Sequence, residues 1–161
     1  MKATISGELV KIAFADQVDI LLQHDSPNRP AARFNRKGQN ALYLSVDEQS
    51  ARVAMKKYAA DSDAPRVLIR YNIDSCELVD LRHPDADSLR QRASLDWKAT
   101  LQNGGEPDSW LVADELRERG EIGLIDPSRK NPGLWHVTLL QWNKPGAPTV
   151  TVIDEPSAIY L

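Results

Sequence analysis

The sequence predicts an α+β fold of antiparallel strands with flanking helices, and three observations lead there. Period-two apolar patterns dominate both ends of the chain, capped helical patterns lie between them, and no regular strand–helix alternation runs through the whole. The 161 residues suit one domain over 1–161, long enough to bury roughly 70% of the unfolded surface without a metal or disulfide.

Residues Ile12 to Gln23 carry irregularly spaced apolar positions that suit a short helix leading into the polar loop His24 to Pro30. Ala41 to Ser45 alternates, with Leu42 and Leu44 on one face and Tyr43 on the other, as a half-buried strand does. Ser45-Val-Asp-Glu48 then matches a capping box and predicts a helix over about 47–60. Pro65 ends the helical pattern, and Val67, Ile69, Tyr71 and Ile73 fall on one side of a strand that 77–81 would pair with. Asp108 or Ser109 can cap a further helix through Leu116, with Gly120 at its left-handed C-terminal position. Leu134 to Trp142 and Thr149 to Ile153 read as strands joined by the turn Lys144-Pro-Gly-Ala-Pro148.

Composition narrows the function classes. Twenty basic against 23 acidic residues leave a net charge of −3, so no broad positive field draws a nucleic-acid backbone or an anionic membrane. A membrane needs an apolar run of about 20 residues, and none is present. A single cysteine, Cys76, and three scattered histidines build no disulfide and no zinc spacing, so no metal is expected and a reducing cytoplasm is. No Gly-rich phosphate loop of the Rossmann or Walker type is found.

The informative stretch is Ala32 to Ser45, read as a hairpin with a loop at 36–40. That register makes Arg33 and Tyr43 cross-strand neighbours on one face. A guanidinium fork beside a phenol ring suits a phosphate and a flat heterocycle, and it equally suits a plain cross-strand pair covering the sheet. Arg36 and Lys37 could reach a pyrophosphate or simply be solvated, and Trp97 could wall a nucleotide pocket or anchor a core.

The order Arg33-Phe-Asn-x-x-Gly38-x-x-Ala-Leu-Tyr43-Leu-Ser45, then Val79-Asp-Leu81, Ser109-Trp-Leu-Val-Ala-Asp-Glu-Leu116 and Gly120-x-x-Gly123-Leu-Ile-Asp-Pro-Ser128-Arg-Lys-Asn-Pro-Gly133 resembles the RES-domain toxins over about residues 9–142. The resemblance implies a fold like that of the ADP-ribosyltransferase toxins and a cytoplasmic toxin of a toxin–antitoxin pair. It implies NAD as substrate, consumed by transfer of ADP-ribose to a protein, by hydrolysis or by phosphorolysis. It also implies a small helical antitoxin with an Xre-like DNA-binding part as partner.

Carried onto this chain, the family's arginine is Arg33, its tyrosine Tyr43 and its serine Ser128. Arg33 and Tyr43 are then the catalytic pair, and all three bind NAD. The family glutamate falls on Ala54, and an asparagine common late in the family falls on His136. Glu48 reads as part of the capping box, while Asp47 lies about 10 Å along the helix from Ala54. A chain without that glutamate could also be a non-catalytic module that binds NAD or antitoxin. Ser128 in Asp-Pro-Ser reads as a turn residue too, and His136 as a core or edge histidine.

Overall fold

The computed structural model describes residues 1–56, 59–131 and 133–161. Its frame is two long antiparallel strands, β1 (Lys2–Phe14) and β3 (Arg66–Asp80), paired from Lys2↔Val79 to Phe14↔Arg66 with a bulge between Ile5 and Gly7. The expected pairing of 77–81 with 66–73 is replaced by one continuous strand. The expected helix over 12–23 resolves into the end of β1 and a 3-10 segment, Ala15–Ile20.

Three short strands complete a circuit: β2 (Leu42–Ser45), β4 (Gly123–Pro127) and β5 (Trp135–Leu139). β1 pairs with β2, β2 with β5, β5 with β4, and β4 returns to β3 in the sheet's parallel step, Val79↔Leu124 and Asp80↔Ile125. Since β3 also pairs with β1, the sheet closes on itself, which removes most open edge. β6 (Val150–Val152) and β7 (Ser157–Ile159) pair with β3 outside this circuit.

Alternation then sorts the side chains. Leu42, Leu44, Ile125, Val137 and Leu139 pack with Ile69, Tyr71, Ile73 and Trp142 in the principal core. Each fully buried apolar side chain there stabilises the fold by about 1.5–3 kcal/mol. Trp142 spends its ring N–H on Leu22 O at 2.9 Å, tying the loop after the 3-10 segment to that core. Gly123 is required where β4 meets β5, because a Cβ there would stand 2.2 Å from the Thr138 carbonyl oxygen.

Helices cover the opposite face: α1 (Glu48–Met55), α2 (Asp87–Ser94), the short α3 (Trp97–Gln102) and α4 (Asp108–Glu118). The α1 cap is Asp47, whose carboxylate accepts from the Ser50 amide at 2.8 Å, and not the capping box of Ser45 and Glu48. Ser45 belongs to β2 instead. Residues 57 and 58 of the expected helix lie outside the described residues. α4 begins after Pro107 with no side-chain cap, and Gly120 takes the expected left-handed conformation, φ +73°, after its end. Among the described residues no helix is long and apolar enough to cross a membrane.

Candidate functional site

On the helix-covered face of β2, β5 and β4 the ladder sets two rows side by side. Tyr43, Thr138 and Leu124 form one row, and Ser45, His136 and Asp126 the next. Between these strands, α1 and the turn bearing Arg33 lies a cavity of about 190 Å³. Arg33, Tyr43, Ala54, Asp126 and His136 all line it. A second cavity of about 200 Å³ adjoins it, sharing Lys11, Ile12, Tyr43 and Met55. A larger cavity of about 420 Å³, bordered by Lys2, Asp74, Glu77 and Glu121, contains none of these site residues. Its acidic rim disfavours an anionic ligand.

Arg33 and Tyr43 meet, but not as the expected hairpin neighbours. Ala32 and Asn35 bridge each other across a tight turn, and β2 pairs with β1 and β5. The phenol makes the connection: Tyr43 Oη accepts from the Phe34 amide at 2.9 Å and donates to Asn35 Oδ1 at 2.7 Å. From the other side α4 clamps the same turn. Trp110 Nε1 donates to Ala32 O at 2.7 Å, Ser109 Oγ donates to Arg33 O, and Arg117 donates to Phe34 O at 2.9 Å and Asn40 O at 3.1 Å. The stretch Ser109 to Leu116 thus places the arginine as well as packing its own apolar face. Arg33 Nη1 itself donates to Ala93 O at 3.1 Å and Leu95 O at 3.3 Å, at the carbonyl end of α2, where a cation is favoured.

The cavity's electrostatics follow from burial. Desolvation pushes the Asp126 carboxyl up to about 7, against the opposing pull of the Arg33 charge. Burial lowers His136 below the usual histidine value, and its Nδ1 lies 3.2 Å from Ser45 Oγ. Burial also drives the Tyr43 phenol far above its ordinary range, so it stays neutral and serves as a tether and an aromatic wall. Lys11 donates to Tyr43 O at 3.3 Å and stands 5.6 Å from that ring's centroid. Desolvation, with the Arg29 charge adding to it, pulls its ammonium down to about 8.

Ser128 is not among the residues lining the cavity. Its Oγ accepts from the Lys130 and Asn131 amides, both at 3.3 Å, in the turn after β4, and Pro132 of that motif lies outside the described residues. Glu48 pairs with Arg52 at 3.0 Å on the exposed side of α1. Arg36 is held by Asp114 and Glu106 over the Trp110 ring. Trp97 carries Lys98 at 5.8 Å from its ring centroid and lines none of the cavities described here. Asp126 and Lys11 line the cavity without being among the residues the sequence marks. Asp126 sits in Asp-Pro-Ser, which reads as turn chemistry, whereas Lys11 carries a signal, a lone cation inside the apolar run Leu9 to Ala13. Among the described residues no group of three or more His, Cys, Asp or Glu side chains is placed to hold a metal.

The chain's fold is similar to that of a chain in the crystal structure of the M. tuberculosis MbcT–MbcA toxin–antitoxin complex, with a TM-score of 0.67 over 99% of this chain and 87% of that one. Sequence identity is 16%, so the likeness is one of fold. No curated protein matches the chain. The RES domain model matches residues 9–160, the span that contains the Arg33 turn, the α4 clamp and every strand of the cavity's floor. The chain belongs to the RES domain family.

Proposed function

We propose that the chain is the toxin of a cytoplasmic toxin–antitoxin pair, and that it breaks the nicotinamide–ribose bond of NAD and transfers ADP-ribose to a cellular protein. The observation behind this reading is the convergence of the Arg33 guanidinium, the Tyr43 ring and the Asp126 carboxylate on one cavity joined to a second. Together the two are of a size that suits part of a dinucleotide. Arg33 anchors the anionic part of NAD, its fork preorganised by the α2 carbonyls. Tyr43 offers its ring to the nicotinamide or ribose, since its hydroxyl is committed to the turn. Nicotinamide leaves as a neutral base, so holding and polarising the substrate matter more than protonating the leaving group. Ser128 meets the nicotinamide mononucleotide half only if its hydroxyl turns away from the two amides it now caps.

The likeness to a chain of a toxin–antitoxin complex supports an antitoxin partner, here a small Xre-like protein that covers the Arg33–Tyr43 cavity with a carboxylate or a chain end. The first bond-breaking step is the same whether protein, water or phosphate accepts the ribosyl group. Incubation with NAD labelled in its adenylate half, in the presence of cell protein, separates the outcomes. Label on a protein band is the expected result. Free ADP-ribose reassigns the acceptor to water, and its 1″-phosphate reassigns it to phosphate. A chain that binds NAD yet releases no nicotinamide over hours overturns the catalytic reading.

A further inference from the structure

Ala54 leaves α1 without a carboxylate over the cavity, and a different element fills that place. We infer that Asp126, from β4, is the catalytic carboxylate: its ionised form faces the ribose and stabilises the positive charge that develops when the glycosidic bond opens. The inference rests on the reading of this cavity as the NAD site.

The placement is geometric. Asp126 sits opposite His136 in the β4–β5 ladder, and both line the cavity together with Ala54 and Arg33. Asp126 is the acidic side chain among the described residues that line it. It also borders a neighbouring cavity of about 200 Å³ that carries Arg90 and Arg129, so the residue stands between the two spaces. An acceptor approaching from that second space would meet the ribose at the carboxylate.

In the reaction the C1′–N1 bond breaks with its electron pair passing to the nicotinamide nitrogen, which leaves neutral. The ribose ring takes the positive charge that nitrogen held. The acceptor then gives an electron pair to C1′, and its proton passes to the Asp126 carboxylate and on to water. A carboxylate in a partly desolvated wall, fixed before reaction begins, is worth far more to that transition state than one in water. The raised Asp126 value means that the needed form is gained as pH climbs through about 7. The charged and titratable groups around it are Arg33 from the turn, His136 on β5, Tyr43 on β2, Lys11 on β1, Arg90 on α2 and Arg129 after β4. α1 presents uncharged Ala51, Ala54 and Met55 to the cavity. Burial lowers His136, which disfavours a positive charge on the ring beside Asp126.

The test measures nicotinamide release from NAD between pH 6 and 7.5, beside binding of a carbocyclic NAD analogue whose glycosidic bond does not break. Asp126→Asn is expected to lower turnover about 100- to 1,000-fold while analogue affinity stays within about threefold. It should also abolish the rise in rate with pH that the unaltered chain shows. Adding Ala54→Glu to Asp126→Asn returns a carboxylate to the same cavity from α1 and should recover at least about tenfold of the lost rate. Turnover of Asp126→Asn within threefold of the unaltered chain, with the pH rise intact, overturns the inference and leaves the NAD site standing. Absence of nicotinamide release from the unaltered chain overturns both.

Discussion

Strands β2, β5 and β4 carry different chemistry on their two faces. Inward, Leu42, Leu44, Val137, Leu139 and Ile125 are at most 2% exposed and wholly apolar. Outward, one residue out of step, stand Tyr43, Ser45, His136, Thr138 and Asp126, polar side chains held half-buried or buried beneath helices. The inner face is spent on stability, whereas the outer one accepts desolvated polar groups that a fold alone has no reason to keep. Buried polarity confined to one face is therefore the mark of the site, and substitutions on the two faces should differ in kind.

The largest expected effect is on the inner side. Trp142→Ala removes a fully buried indole and its bond to Leu22 O, and should lower stability by about 3–5 kcal/mol in urea melts. Any activity loss should follow the unfolded fraction. Arg33→Ala should show the opposite division: NAD cleavage falls about 100-fold or more, a few kcal/mol of transition-state binding, with little change in melting. If the antitoxin plugs this cavity, the same variant should weaken its binding, and antitoxin should raise the apparent NAD requirement. An Arg33→Ala chain of full activity would place the reaction elsewhere.

Asp126→Asn sharpens the contrast through pH. The folded carboxyl titrates near 7 against an ordinary value near 4, so the folded chain holds a proton that the unfolded chain releases over that interval. Stability contributed by the protonated form is complete below the unfolded value and is lost as pH rises toward 7. The variant should match the parent near pH 4 and exceed its stability by about 1–3 kcal/mol above pH 7. Equal melts for the two chains at pH 8 would contradict a desolvated carboxylate at this place.

Tyr43→Phe keeps the ring and deletes the tether, leaving the Phe34 amide and Asn35 Oδ1 without that partner. A loss of about 1–3 kcal/mol is expected, together with a raised KM as the Arg33 turn loosens. Ser128→Ala should do least. Loss of its two 3.3 Å turn bonds is expected to cost about 1 kcal/mol or less in melts, and a much larger fall in NAD affinity would show that the hydroxyl reaches the substrate.

The difference between the faces also explains what could be read before the structure. The alternation of Leu42 and Leu44 with Tyr43 depends only on the two-residue period of a strand, so that half of the site was visible. Arg33 and Tyr43 share a cavity, but not through the hairpin register that the sequence suggests. The turn at Ala32–Asn35 is held by a phenol on β2 and by Ser109, Trp110 and Arg117 on α4, partners that local register cannot supply. β4 went unread because it is five residues long and ends in Asp-Pro, which are turn residues by composition. Asp126 went unread with it. The alternation of Thr4, Ser6 and Glu8 with Ala3, Ile5 and Leu9 is a strand pattern, but its continuation through Phe14 is set by the pairing with β3, which local sequence does not show.

The most direct test is a crystal structure of the chain with a non-cleavable NAD analogue. The account predicts nicotinamide against the Tyr43 ring, an anionic oxygen bonded to the Arg33 guanidinium, and the ribose hydroxyls within hydrogen-bonding reach of the Asp126 carboxylate. An analogue seated in the groove between Lys2 and Glu121, or one that leaves Arg33 and Asp126 untouched, would contradict it.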